Sequence, residues 1–348
     1  MKPLQGVKVL DLSRILAGPL AGQLLADLGA EVTKVEAPWG DETRNWGPPF
    51  QVGFDGVEVA SYFLSCNRGK IIINADIKSE RERIQTLMST SDIIIENFKP
   101  GTFDTFLGPL PEHCILCSIS GFGQDGPRRD ELAFDLTMQA RSGIMSITGE
   151  PEGAPAKVGV AWIDVMTGMN AVSSILAALY QRSNTGKGAR IDISLWDTAL
   201  AALVNQGHNA LAGLSPQRMG SAHPNLVPYR AFEAQDGWFA IGVGSSKQWL
   251  SLVAHLELDV PDHWQENSAR IAERHAVEQC VQQAVATRTR AALEQLLHDI
   301  PCAPVNTIAE ALGDKQTLAR GGLITQDGVT TLASPLRFVY PSNEKSEV

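Results

Sequence analysis

The 348-residue sequence predicts an α/β protein in which a large domain with a mostly parallel sheet carries a smaller α/β domain. Three observations lead to that class. Short apolar runs alternate with helix-like stretches from residue 7 onward, the pattern of βαβ units whose sheet is covered by helices on both faces. The chain exceeds the roughly 250 to 300 residues at which a single core stops growing. Composition changes at GLSPQRMGSAHPNLVP, residues 213 to 228, a turn-rich segment that reads as a linker. The expected organisation is residues 1–212 for the first part of the large domain, 213–305 for the small domain, and 306–348 for a proline-bearing tail that returns to the large one.

The elements follow in order. VKVLDL is an apolar run, GPLAGQLLADLG has Pro19 in a first helical turn and Gly29 as a stop, and AEVTKVE is a second strand. KIIIN (70–74), a charged helix near 79–88, DIIIEN (92–97), a short helix after Gly101 and CILCSIS (114–120) continue the alternation. A helix over about 134–142 precedes the Gly/Pro-rich stretch 149–159 and a long helix from about Val165, with Val165, Met169, Val172, Leu176 and Leu179 on one helical face. ARIDISL and a helix near Trp196 close the first part; WFAIGV and helices over 247–298 form the small domain.

Composition narrows the function. A net charge of −10 leaves no basic surplus for a phosphate backbone, so nucleic acid and anionic membranes are excluded as expected partners. The N-terminus has no signal-peptide pattern, and the apolar uncharged run Val165–Gln181 contains Thr167, Asn170, Ser173 and Ser174 and reads as a buried helix rather than a membrane span. Five scattered cysteines suit a reducing compartment, hence the cytoplasm. Cys114 and Cys117 form a CxxC within a strand, where their spacing puts the thiols on opposite faces, and the histidines lack ligand spacing, so no metal site is expected.

In open parallel sheets ligands bind at the carboxyl ends of strands. The loop Ser13–Gly18 has one glycine, which removes a dinucleotide fingerprint; it is either an ordinary βα turn or an anion contact at a helix start. ENFKPGT (96–102) offers Asn97 and Lys99 as donors and Phe98 as a flat face for a purine, or is a plain helix-start turn. Arg68 and Lys70 in CNRGK read as a solvated edge. Asp164, at the start of the long helix, reads from spacing alone as its N-cap, and alternatively as a nucleophilic carboxylate.

Taken together, LAGPLAGQLLADLGAEVTKVE, GDETR, NRGK, IENFKPG, SISGFGQDGP, FDLTMQARSGIMSITG, DVMTGMNAV, TGKGARIDISLWDTAL, HPNLVPYRAF and DGWFAIGVG, in one order over nearly the whole chain, resemble the class III CoA-transferases. That family includes formyl-CoA transferase and carnitine CoA-transferase and is related to α-methylacyl-CoA racemase. The resemblance implies a Rossmann-like core and an interlocked ring-like homodimer. It also implies exchange of coenzyme A between an acyl-CoA and a carboxylic acid as substrates, with no permanently bound cofactor. It places the nucleophile at Asp164, in DVMTG, and coenzyme A contacts at Leu16, Ala17, Ala75, Asp76, Ile77, Lys78, Asn97, Phe98 and Lys99. Two phosphate-binding arginines of formyl-CoA transferase correspond to Ala37 and Thr105, with Lys99, Arg68 or Arg44 as substitutes; its glycine run has only IGVGSS as counterpart, with Gly242 and Gly244 as candidate oxyanion donors. Where the racemase branch has histidine, before the aspartate matching Asp135, this sequence has Phe134, which argues for transfer over racemisation.

Overall fold

The computed structural model describes residues 2–339, and the chain divides into two compact units. One comprises residues up to Ile144, Val158–Gly213 and the chain from Lys315; the other comprises Met145–Lys157 and Leu214–Asp314. The sequence boundaries at 212 and 305 compare with breaks at 213 and 314, and the tail groups with the larger unit. Residues 145–157, read as part of the large domain, group with the smaller unit.

The larger unit is built on six parallel strands: β1 (Lys8–Asp11), β2 (Glu31–Glu36), β3 (Lys70–Asn74), β4 (Ile93–Glu96), β5 (Ile115–Ser120) and β6 (Arg190–Ser194). Their spatial order is β3-β2-β1-β4-β5-β6, the doubly wound arrangement in which the order reverses between β1 and β4. Helix α1 (Ala17–Asp27) joins β1 to β2, α2 (Arg81–Ser89) precedes β4, and α3 (Thr102–Leu107) follows it. Then come α4 (Asp135–Arg141), the 24-residue α5 (Trp162–Thr185), α6 (Leu195–Ala201) and α7 (Val204–Leu211). Residues alternate between the two sides of the sheet, as strand geometry requires. Ile93, Ile95, Ile115 and Cys117 join one apolar cluster with α1 and α5; Ile94, Cys114 and Leu116 join another with Ile84 and Phe103. The two thiols of the CxxC therefore lie in different clusters, both fully buried.

The apolar face read from the sequence only partly matches the buried face of α5: Val172 is buried and Leu179 packs against the core, but Met169 and Leu176 are exposed. Its buried residues are Ile163, Thr167, Gly168, Ala171, Val172, Ile175 and Ala178, while Met169 is 53% exposed and Tyr180 75%. The cause is close approach to α1: a Cβ at Gly168 would sit 2.7 Å from the Ala17 carbonyl oxygen, so small residues face inward and several large apolar ones face out. By length and composition α5 would pass for a membrane span, but its small-residue face is buried against the sheet and α1.

The tail contributes the hairpin Leu323–Gln326/Val329–Leu332, with Val329 in a cluster with Val59, Phe63 and Leu64. The smaller unit has an antiparallel sheet of β7 (Tyr229–Ala234), β8 (Gly237–Gly242) and β9 (Cys302–Pro304), packed with α8 (Ser246–Leu256), α9 (Arg274–Val285) and α10 (Arg290–Leu296). Buried Arg270 donates to the carbonyls of Val227 (2.6 Å) and Trp264 (2.6 Å).

Candidate active site

The order reversal between β1 and β4 opens a crevice at their carboxyl ends, and the two loops leaving it are tied together. Asn97 accepts the Arg14 N–H at 3.0 Å and donates to the Arg14 carbonyl at 2.8 Å, so its amide clamps one loop onto the other. Two cavities of about 330 Å³ each adjoin here. The first is bordered by Leu16, Ala17, Lys99, Phe134 and Asp164; the second by Trp39, Ala75, Ile77, Lys78 and Phe106. Arg14 and Phe98 border both.

The loop between β1 and α1 is strained and pinned. Ile15 has φ +72°, a left-handed conformation that a β-branched residue adopts only under constraint. Its N–H donates to Asp41 at 3.3 Å, the Lys34 ammonium donates to both Asp41 (3.0 Å) and the Ser13 carbonyl (2.8 Å), and Lys34 and Asp41 are fully buried side chains. Beneath them Asp11 pairs with Lys70 at 2.9 Å and accepts from the Ser13 N–H and hydroxyl. Burial opposes the charge on Asp11, but Lys70 and Lys34 outweigh it and hold the carboxyl below its usual range. Glu36 completes the floor, accepting from the Asp41 N–H (3.2 Å) and from Arg44 (2.7 Å).

Asp164 is treated differently. It occupies the third position of α5, and the cap that its spacing suggested is supplied from outside: Asp135 accepts the N–H of Ile163 at 2.7 Å and that of Asp164 at 3.4 Å, and Gln139 donates to its other oxygen at 2.6 Å. The Asp164 side chain is thereby released from capping, and among the described residues no donor reaches its carboxylate. Burial first, then the charge of Asp135, pushes its pKa up to about 7. Helix α1 begins nearby without a side-chain cap, and among the described residues no acceptor reaches the N–H of Leu16 or Ala17. The cavity therefore joins a desolvated carboxylate to unused backbone donors.

All ten site residues read from the sequence border one or other cavity, six with Asp164 in the first and Phe98 with Ala75–Lys78 in the second. Two have tasks of their own: the Asn97 amide is spent on Arg14, and the Asp76 carboxylate accepts from the Lys78 N–H (3.0 Å) and the Ser79 hydroxyl (2.9 Å). Several other expectations are corrected. Arg68 and Lys70 are no solvated edge: Arg68 is buried against Asp27 (2.7 Å) and the Leu332 carbonyl (2.6 Å), and Lys70 against Asp11. Arg44 is committed to Glu36 and Asp55, so neither arginine is free to replace those missing at Ala37 and Thr105. The N–H groups of Gly242 and Gly244 are used, by the Pro301 carbonyl (2.9 Å) and Gln248 (2.8 Å).

Sequence reasoning missed Arg14, the outside cap by Asp135, and Tyr62. Tyr62 stacks edge-on against Trp46 at 5.3 Å, and burial together with the Asp164 charge pushes its hydroxyl up to about 12. Arg14 could have been found from its place two residues before Leu16; nothing in the sequence marks Tyr62 as a neighbour of Asp164.

A parallel 3-2-1-4-5-6 sheet with a partly buried carboxylate of raised pKa at its switch point defines a class of α/β enzymes equipped to attack an acyl group. More particularly, the chain belongs to CoA-transferase family III, whose profile matches residues 4–344. It is similar to a succinate–glutarate CoA-transferase of Agrobacterium fabrum, 40% identical over 99% of this chain and 93% of that protein. A human succinyl-CoA:glutarate CoA-transferase is 37% identical over 92% of this chain and 76% of its own length. The crystal structure of a CAIB/BAIF family protein from Brucella suis superposes with a TM-score of 0.87 at 43% identity, covering 97% of this chain and 93% of that one. The protein is thus a CoA-transferase, an enzyme that moves coenzyme A between an acyl-CoA and a carboxylate.

Proposed function

We propose that the chain exchanges coenzyme A between two dicarboxylic acids through covalent intermediates on Asp164. The observation that carries this is the carboxylate itself, desolvated, at a cavity wall, and without a hydrogen-bond donor among the described residues. An Asp164 oxygen attacks the thioester carbonyl; the C–S bond breaks, and an acyl-aspartyl anhydride and coenzyme A thiolate result. The thiolate then attacks the aspartyl carbonyl, expels the first acid as its carboxylate and leaves an aspartyl-CoA thioester. The second acid attacks that thioester and releases thiolate, which takes the new acyl group from the anhydride and restores Asp164. No proton is gained or lost overall, and the acyl group stays activated throughout, as thioester or as the more reactive anhydride, so the overall exchange of one thioester for another is near balanced. Acylation also removes a charge that the cavity penalises, which lowers the cost of reaching the intermediates. The unused N–H groups of Leu16 and Ala17, residues of the same cavity wall, are candidate donors for the tetrahedral oxyanions.

Dicarboxylates are proposed because the relatives named above are named for succinate and glutarate, and because Lys99 and Arg129 border the first cavity and can balance a second carboxylate. Phe134 borders it too, a hydrocarbon where racemisation would need a proton-transfer group, which supports transfer. A homodimer is proposed on the exposed apolar stripe of α5, with Met169 and Tyr180, and on α7, which buries no residue. A cytoplasmic location is supported by five free thiols. The test is Asp164→Asn: succinyl-CoA:glutarate exchange should be lost while coenzyme A still binds, and exchange at the native rate would refute the role of Asp164.

A further inference from the structure

We propose that Arg14 binds the pyrophosphate of coenzyme A and so fills the role left open by alanine at 37 and threonine at 105. This rests on the acyl-CoA reading above and goes beyond it by naming the group that holds the charged middle of the substrate.

The order of parts along the ligand decides the assignment. Coenzyme A runs from a thiol through an uncharged pantetheine arm to a pyrophosphate, and then to an adenosine. The first cavity holds Asp164, so the thioester end of the arm belongs there. The second cavity presents Trp39, Ile77, Phe98 and Phe106, flat and apolar walls suited to a purine. What lies between arm and purine is the pyrophosphate, and what lies between the cavities is Arg14, the cation that borders both.

The remaining cations are worse placed. Arg44 and Arg68 are held by Glu36 and Asp27. Lys99 borders only the first cavity, and Lys78 only the second, with its ammonium 5.6 Å over the Phe106 ring. Arg14 by contrast is built for the position. Its backbone is fixed on both sides by the Asn97 amide, and its guanidinium spends only Nη1, on Glu42 at 2.6 Å. Among the described residues Nε and Nη2 have no acceptor, and the side chain is 46% exposed. A planar fork with two free donors matches the paired oxygens of a diphosphate, which a lysine does not. Glu42 is then a placeholder: its other oxygen is buried without a partner, and it holds the guanidinium until phosphate oxygens compete for it.

Calorimetry on the full chain tests this with three probes: coenzyme A, 3′-dephospho-coenzyme A and pantetheine. Arg14→Ala should weaken the first two alike, by roughly tenfold to hundredfold, and leave pantetheine within about twofold, since only one charged contact is removed. Glu42→Gln, which keeps Arg14 and frees it, should tighten both nucleotides and leave pantetheine unchanged. Equal affinity for coenzyme A in Arg14→Ala and the native protein would overturn the proposal, as would a loss confined to coenzyme A, which would place Arg14 at the 3′-phosphate. An equal loss on pantetheine would overturn it as well, by making Arg14 part of the scaffold. Absence of coenzyme A binding by the native chain would instead overturn the acyl-CoA reading itself.

Discussion

Two aspartates near the switch point, Asp11 buried and Asp164 partly buried, are treated in opposite ways. Asp11 has both oxygens engaged, by the Lys70 ammonium and by Ser13, and its pKa is held down. Asp164 has no donor among the described residues, a like charge beside it, and a pKa raised to about 7. The same residue type is scaffold where its charge is neutralised and reagent where it is not. Buried charge must be paired or shift its pKa, and this fold does one in the floor and the other at the cavity wall.

The comparison can be broken at either end. The largest effect belongs to the reagent: Asp164→Asn should lower the exchange rate by about 10⁴-fold or more, as removal of a covalent nucleophile does, measured as transfer of label from succinyl-CoA to glutarate. Next is the floor. Lys34→Met leaves Asp41 buried without its cation and should destabilise the larger unit by about 3 to 5 kcal/mol in denaturant unfolding. A loss near zero would mean that the floor is not holding charge.

A smaller effect separates positioning from stability. Asp41→Asn should lower kcat by about tenfold with less change in KM, because Ile15 relaxes from its left-handed conformation and displaces Leu16 and Ala17. Adding Ile15→Gly, which takes φ above zero without strain, should recover most of that loss; failure to recover would separate the strain from catalysis.

The pH dependence follows from the reagent. Exchange needs ionised Asp164, so kcat/KM should rise through about pH 7 and be about tenfold below its plateau one unit lower. A profile flat from pH 5 to 8 would contradict the raised pKa. Stability should run the other way. The unfolded aspartate ionises near 3.8 and the folded one near 7, so across that window the unfolded chain binds fewer protons and stability falls as pH rises. Asp164→Asn should therefore raise Tm by about 2 to 4 °C at pH 8 and hardly at pH 4.

The fold was largely legible because βαβ periodicity is local: all six strands of the large sheet lie where apolar runs end in turn residues. The inner face of α5 was not, because helical periodicity ranks residues by apolarity whereas the approach of α1 selects them by size at Gly168 and Ala171. The hairpin Leu323–Leu332 escaped because its strands are mostly exposed and carry a weak pattern. At the site, Asp164 was legible as a residue but not in its environment. Its spacing suggested a cap, and only the structure shows Asp135, far away in the sequence, doing that task. Arg68 and Lys70 were misread because a cation in a short polar loop gives no sign of the distant Asp27 and Asp11 that bury it.

The central claim, that Asp164 is the unpartnered reagent, is tested most directly by its mass. The chain is incubated with succinyl-CoA without an acceptor acid, quenched in acid and cleaved at lysine and arginine, and the peptide from 158 to 182 is weighed. Aspartyl-CoA should add the mass of coenzyme A less one water to that peptide alone, and the adduct should vanish when glutarate is added before the quench. An unmodified peptide from an enzyme that is turning over, or an adduct on any other peptide, would contradict it.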